Sequence, residues 1–504
     1  MRRRKGSIPT AAMILAFLAA TLACLNVGLA QPHVVGDAPT QASHILLGSC
    51  PDADSKSGDI PVASRVAESP ARMPVSMPEM EYVDVCGRNN DSKKLSRLIM
   101  GTDHLIQADW TGDGQRETTE KQAYEVLDEA AKLGINVFDT SPIYVGKVEE
   151  KLGNWLMSRR RKAAKDDFYY GKNLNPDRKL YALSKGGFPF DLYSAKKLES
   201  GSHSESLKGE LVKHDVLNHN PQSSNDGSIP LSNVPAGTYA SRLYGPKEQI
   251  TRRVSEELGR SLSKLNDEVT IYLMHRDDGD FFRFNEIPRA KTPVKTIMEA
   301  LSADELSKNY WALGWSNWVP SRVDESVDLA RKNSTLARPT FNSAYFSLFE
   351  MSNRTIHAGG VQVTHQEMSD PNFEQGIKQN PYSPLGGFSI LDKPEPRWEN
   401  AMKAAKVKYD QGDPYWKNVY SSVFTAENKA RYDRVVEFTG KFNRDHDTSY
   451  TVDQMLNAYA LAHKRTDFLT IGPITVEQLR RTVGSLRLSR LLTQANLEYL
   501  YSGN

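Results

Sequence analysis

Asp139 ends the apolar run Asn136-Val-Phe, and Tyr144 follows five residues later. Lys185 ends Leu180-Tyr-Ala-Leu-Ser, and His275 ends Ile271-Tyr-Leu-Met. These residue types form a proton-transfer set. A phenol with an ordinary pKa of ~10 is a poor acid at neutral pH. A nearby ammonium favours the phenolate and lowers that pKa, so Lys185 is the residue to tune Tyr144. A buried ammonium needs a counter-charge, and Asp139 supplies one. The competing reading scatters the four residues independently through loops and core. Isolated buried lysine is rare, and all four fall on or just past strand ends.

For these groups to meet, the runs that carry them must be parallel strands with their carboxyl ends on one side. That is the face on which α/β barrels build active sites. From Ser96 onward, short apolar runs alternate with amphipathic stretches, the pattern of βα units. Strands are expected at 97–102, 136–140, 180–185, 269–275, 311–316, 340–346, 380–385 and 468–471. Helices are expected at 120–133, 149–159, 249–265, 294–307, 321–331, 426–442, 452–463 and 476–486. Thr118 and Thr119 supply N-cap chemistry for the first helix, and Gly134 stands where a C-cap belongs. The fold class is therefore α/β, a (β/α)8 barrel over residues 95–504. It exceeds the usual ~250 residues because two long loops leave it after strands 3 and 7. Residues 188–244 are a long polar segment on the face of the site, where loops are often lids, but its middle, 200–232, is rich in Ser, His, Asn and Gly, the composition of a disordered insert. Residues 391–425 carry Trp398, Tyr409, Tyr415, Trp416 and Tyr420 and read as an ordered lid.

Several segments, each at a strand end, resemble the aldo-keto reductase family in the family's own order. They are Met100-Gly-Thr102, Asn136-Val-Phe-Asp-Thr-Ser-Pro-Ile-Tyr144 through Gly153, and Leu183-Ser-Lys-Gly-Gly187. Ile271-Tyr-Leu-Met-His-Arg-Asp-Asp278, Leu313-Gly-Trp-Ser-Asn317, Tyr382-Ser-Pro-Leu-Gly-Gly387 and Ile471-Gly-Pro-Ile-Thr-Val-Glu-Gln-Leu479 complete the set. The resemblance implies an NADP-dependent oxidoreductase that interconverts an aldehyde or ketone with an alcohol. Tyr144 is then the acid, Lys185 and Asp139 tune it, and His275 hydrogen-bonds the carbonyl oxygen and helps carry developing charge.

The same resemblance implies where a nicotinamide cofactor would lie. Gly101, Thr102 and Asp139 fall at its nicotinamide end. Ser316, Asn317 and Ser343 would hold the carboxamide, although the family commonly has Gln where Ser343 stands. The plainer role of Ser316 and Asn317 is helix capping before Pro320. Ser343 to Leu348 resembles a bacterial branch of the family. The loops with Ser383, Leu385 and Gly387, and with Gly472, Pro473, Thr475 and Gln478, look like the pyrophosphate and adenosine-ribose sites. The helix opening at Val476 adds an N-terminus suited to anions. Thr482 stands where an adenine-contacting Asn is common, and Arg480 and Arg481 fall near the expected 2′-phosphate region. NADPH is expected ahead of NADH. No Gly-x-Gly-x-x-Gly stretch supports a Rossmann site. Two rival readings stay open: a cofactor-binding regulatory barrel with little turnover, and a barrel for another ligand such as a carbohydrate, stacked on the aromatics of 391–425.

Composition excludes some partners. Lys and Arg total 64 against 62 Asp and Glu, which gives no reason to invoke nucleic acid. Arg2-Arg-Arg-Lys5 precedes an apolar run at 11–25, and Gly28-Leu-Ala30 supplies small residues at a cleavage site. Residues 1–30 thus read as a signal peptide for export, with an uncleaved membrane anchor as the alternative. Residues 31–94 read as a linker or irregular arm. Cys50 and Cys86 remain after cleavage as a pair able to form a disulfide. Residues 109–120 carry Asp109, Thr111, Asp113, Gly114 and Glu120 at EF-hand-like spacing. No incoming helix precedes them, so a turn is the plain reading. No Cys/His cluster has zinc spacing, and no metal is expected.

Overall fold

The computed structural model describes residues 80–106, 120–142, 144, 147–163, 179–187, 246–266, 269–277, 292–352, 355–356, 360–387, 390, 397–412 and 414–504. The expected anchor segment, the 188–244 insertion and most of the EF-hand-like loop lie outside these residues. All described residues belong to the compact unit Ser49–Asn504. Among them, no helix is long and apolar enough to cross a membrane.

An antiparallel hairpin comes first, β1 (Tyr82–Cys86) with β2 (Ser92–Ser96). The strands β3 (Leu98–Gly101), β4 (Val137–Asp139), β5 (Tyr181–Gly186), β6 (Ile271–Met274), β7 (Ala312–Ser316) and β8 (Pro339–Ser343) follow. After a short pair, β9 (Thr355–Ile356) with β10 (Gly360–Val361), come β11 (Lys378–Gln379) and β12 (Leu469–Ile471). Eight of these form one parallel sheet in the order β11-β8-β7-β6-β5-β4-β3-β12. Its two edges meet through the parallel bridges Gln379↔Thr466 and Tyr382↔Thr470. Phe468 N donates to Gln379 O and Thr470 N to Pro381 O, each at 2.9 Å. The sheet curls accordingly, as the (β/α)8 reading expects. Seven of the eight expected strands are present, most of them shorter than the apolar runs that announced them. The one expected at 380–385 is instead β11 at Lys378–Gln379, and within the expected range only Tyr382 pairs, through isolated bridges, where Pro381 and Pro384 remove ladder donors.

Two apolar sets divide the sheet by side-chain alternation. Ile99, Val137, Tyr181, Leu183, Ile271, Leu273, Ala312, Phe341 and Phe468 form the inner set. Leu98, Met100, Phe138, Ala182, Tyr272, Met274, Leu313 and Trp315 face the helices. This parity positions the site. Asp139 is two residues beyond Val137, Lys185 two beyond Leu183, and His275 two beyond Leu273. Ser316 and Ser343 lie on the same inward parity at the ends of β7 and β8, opposite one another in the ladder.

The hairpin is not the irregular segment expected for 31–94. β2 leads directly into the start of β3, so the hairpin lies at the amino-terminal mouth of the barrel. Its Val85 and Leu95 join the inner set there. Asn136 clamps it, accepting from Ser96 N at 2.8 Å and donating to Lys94 O at 2.8 Å. Gly87 is required at the turn, since a Cβ there would lie 2.0 Å from Trp311 Nε1. Cys86, at the end of β1, is disulfide-bonded, and its partner lies outside the described residues.

The stretch 391–425 is largely helical, with Arg397–Asp410 and Pro414–Val423. Trp398 is buried and packs against Phe349, Phe424 and Tyr432. The expectation of order holds for these residues, but Trp398 is core rather than a surface on which a sugar could stack.

Candidate active site

The ends of β4, β5 and β6 bring the proton-transfer set together. Lys185 Nζ lies 2.6 Å from Asp139, and the two side chains are each 5% exposed. The ammonium also donates to Tyr144 Oη at 2.8 Å and to Thr140 O at 3.2 Å. The Tyr144 hydroxyl donates to Asp139 Oδ1 at 3.2 Å. The His275 ring stands edge-on to Tyr144, with centroids 6.3 Å apart. Its main chain is pinned, His275 N donating to Gly186 O at 2.8 Å. Tyr144 is half-buried, which leaves the phenol approachable while Lys185 and Asp139 are enclosed.

The electrostatics depart from expectation at one point. Burial pushes the Asp139 carboxyl up, with Lys185 pulling against it. The Tyr144 phenol is held well above its usual value, first by burial and then by the carboxylates of Asp139 and Asp103. One ammonium shared with Asp139 does not outweigh desolvation and two nearby carboxylates. The resting phenol therefore keeps its proton at neutral pH, as a general acid must. Lys185 is already aimed at the phenol oxygen, where it stabilises charge as the proton leaves. His275 is pushed well below its usual value by burial and then by Lys185 and Arg276. It is a neutral ring at physiological pH.

The residues expected around a nicotinamide ring fall into two groups. Ser316, Asn317 and Ser343 are brought together and buried. Asn317 adopts a left-handed backbone, φ 58°, which lets it reach several strand ends at once. Its N–H donates to Ser343 O at 2.9 Å. Its Nδ2 reaches Ser316 Oγ at 3.0 Å and His275 O at 3.3 Å. Its Oδ1 accepts from Tyr382 Oη at 2.6 Å. Thr102 is committed elsewhere: its hydroxyl donates to Asp139 O at 2.7 Å, fixing β3 to β4. Gly101 is needed for close approach, since a Cβ there would lie 2.9 Å from Ile471 O.

The two loops expected to hold phosphates leave β11 and β12 at the same end of the barrel. Ser383 (φ 57°), Gly386 (φ 85°) and Gly387 (φ 62°) form a left-handed turn beside half-buried Leu385. A Cβ on Gly387 or Gly472 would meet nothing within 4 Å, so both backbones border open space. Pro473 is buried behind Gly472. Thr475 caps the helix Val476–Ser489 by accepting from Gln478 N at 3.1 Å. Gln478 Oε1 in turn holds Ile474 N at 2.9 Å. These two side chains build the loop rather than project from it, and Thr482 is buried in the helix. Arg480 pairs with Glu129 at 2.8 Å, and Arg481 with Glu477 at 3.0 Å.

A cleft of about 430 Å³ lies near the amino-terminal ends of the helices flanking β12. Arg397, Thr439, Asn443, Tyr450, Asp453 and Arg481 are among its lining residues. Both flanking helices, Val452–Ala462 and Val476–Ser489, begin on the face that carries Tyr144. None of Asp139, Tyr144, Lys185 and His275 is among the residues lining the cleft. Among the described residues, no group of three or more His, Cys, Asp and Glu is arranged to hold a metal.

Sequence reasoning missed Tyr382 as a hydrogen-bond partner of Asn317, and Ser141, whose Oγ lies 3.1 Å from His275 Nδ1. It also missed the charges of Asp103 and Arg276. Asp103 directly follows Thr102 and Arg276 directly follows His275, so adjacency to expected site residues was the available signal.

A parallel α/β barrel whose strand ends gather a phenol, an ammonium, a carboxylate and a neutral imidazole defines a class of proton-transfer barrel. Residues 97–169, the segment that carries Asp139 and Tyr144, match the Aldo/keto reductase family. No curated protein matches the chain. The match supports an oxidoreductase of the aldo/keto reductase type.

Proposed function

We propose that the protein is an NADP-dependent oxidoreductase that reduces an aldehyde or ketone to an alcohol, or runs the reverse, with Tyr144 as general acid. The observation that carries this reading is the enclosed Lys185–Asp139 pair, with Lys185 donating to Tyr144 Oη at 2.8 Å. A bound nicotinamide supplies the hydride. The chain's own residues do the rest. His275 and Tyr144 converge on the place of the substrate oxygen. Tyr144 delivers its proton there, and Lys185 stabilises the phenolate that results. Asp139 keeps Lys185 aimed at the phenol.

The residues present suit a dinucleotide. Ser316, Asn317 and Ser343 offer polar groups beside His275. The open backbones at Gly387 and Gly472 leave room for phosphates at a helix N-terminus. NADPH is placed ahead of NADH on the family resemblance; Arg397 and Arg481 line a cleft in which Arg481 already pairs with Asp453 and Glu477. Export directed by residues 1–30 belongs to the same proposal, and N-terminal sequencing of the mature protein tests it.

Titration with NADPH and NADH, followed by Trp quenching, tests the cofactor reading. Tighter NADPH binding, kept in Tyr144→Phe while carbonyl turnover is lost, supports it. Binding without turnover in the wild type would instead identify a regulatory barrel. No binding of either nucleotide would overturn it in favour of another ligand.

A further inference from the structure

We infer that Ser141 is a positioning residue for His275: its hydroxyl donates to Nδ1 and holds the ring as the Nε2–H tautomer, with that proton turned to the substrate oxygen. The inference rests on the reductase reading for the direction of the hydrogen bond and its consequence; the Ser141–His275 contact itself does not depend on that reading.

Ser141 Oγ and His275 Nδ1 are 3.1 Å apart, and both residues are buried. A neutral imidazole carries one N–H and one lone pair, so the hydrogen bond at one nitrogen decides what the other presents. Burial and the cations Lys185 and Arg276 keep this ring neutral. If Nδ1 donated to Ser141, Nε2 would present a lone pair to the lone pairs of a carbonyl. That arrangement is repulsive and gives nothing to the charge that develops on the oxygen. If Ser141 donates, Nε2–H becomes a hydrogen-bond donor that needs no charge on the ring.

Both partners are fixed by their main chains. His275 N donates to Gly186 O at 2.8 Å, and Asn317 Nδ2 reaches His275 O at 3.3 Å. On the other side, Thr140 N donates to Leu183 O at 2.8 Å, and Tyr144 N to Ser141 O at 3.1 Å. The segment that presents the Tyr144 phenol therefore also presents the Ser141 hydroxyl. One turn sets the proton donor and, through His275, the donor that orients the substrate.

The test is ¹⁵N-histidine NMR on the full chain at pH 7, with the His275 signals assigned among 11 histidines by comparison with His275→Asn. Wild type is expected to show a protonated Nε2 and an unprotonated Nδ1. Ser141→Ala is expected to give a mixture of tautomers and about tenfold lower kcat with a smaller change in KM, the size of one neutral hydrogen bond lost from the transition state. Ser141→Thr, which keeps the hydroxyl, is expected to restore both. A protonated Nδ1 in wild type overturns the inference, as does Ser141→Ala with unchanged tautomer and kcat. The NMR arm needs no substrate, so it decides the role of Ser141 by itself. Failure of the reductase reading would show separately, as wild-type protein that neither binds nucleotide nor turns over.

Discussion

Replacing Lys185 by Met isolates the electrostatics of the site. The ammonium is 2.6 Å from Asp139, and each side chain is 5% exposed. Removing one partner of such a pair strands a buried charge, which typically costs about 3–5 kcal/mol. Asp139 limits that cost by taking up a proton. An unfolded Asp titrates near 3.9, so at pH 7 the proton must be held about 3 units above its ordinary range, or about 4 kcal/mol at ~1.36 kcal/mol per unit. At pH 5 the same limit falls to about 1.5 kcal/mol. The sign follows from the raised folded pKa: the carboxyl is no burden below its unfolded pKa, and the destabilisation grows as pH rises. Asp139→Asn in the same chain removes the stranded charge. Lys185→Met/Asp139→Asn is therefore expected to be more stable at pH 7 than Lys185→Met alone, by roughly 2 kcal/mol or more, with the pH dependence gone. Urea unfolding followed by Trp fluorescence at pH 5, 6 and 7 measures this. A Lys185→Met penalty that does not change with pH, or a double variant no more stable than the single, would show that Asp139 is not left as a stranded charge.

Two further predictions concern the scaffold. Glu374 is buried, accepts from Asn342 Nδ2 at 2.7 Å and Gln379 Nε2 at 2.6 Å, and is pushed by burial from 4.5 to about 8. Its contribution to stability is full below about pH 4.5 and is lost as pH rises towards 8. Glu374→Gln is expected to flatten urea stability across that window and to exceed wild type at pH 8.5 by at least about 1 kcal/mol, and an unchanged slope would count against this. Gly314→Ala places a Cβ 2.3 Å from Phe341 O and 2.7 Å from Leu273 Cδ2, inside the barrel. An overpacking loss of about 2 kcal/mol or more in urea unfolding is expected, and a neutral variant would show that β7 and β8 can part.

The strand-end residues were legible because a strand alternates strictly. Once Val137, Leu183 and Leu273 face inward, Asp139, Lys185 and His275 follow two residues later on the same side. The seven segments in order then identified the barrel and its likeness to a family. The hairpin escaped because its turn, Gly87 to Asp91, lacks a two-residue Asn-Gly signal, and Ser-Lys-Lys-Leu-Ser in β2 reads as polar linker. Its order comes from Asn136 and Trp311, which are distant in sequence. The direction of the Tyr144 shift was misjudged because the sequence names the ammonium but not the second carboxylate, Asp103, or the degree of burial. Tyr382 and Ser141 depend on a left-handed Asn317 and on a contact between β4 and β6. Neither leaves a periodic trace.

Whether Tyr144 is the proton donor is decided by oxidation of pre-bound NADPH in a single turnover, on addition of a panel of aldehydes and ketones, in wild type and Tyr144→Phe. Both proteins are expected to bind nucleotide, and only the wild type to oxidise it. Equal oxidation by Tyr144→Phe would contradict Tyr144 as the proton donor, and wild-type protein that binds no nucleotide would contradict the assignment of the site as a whole.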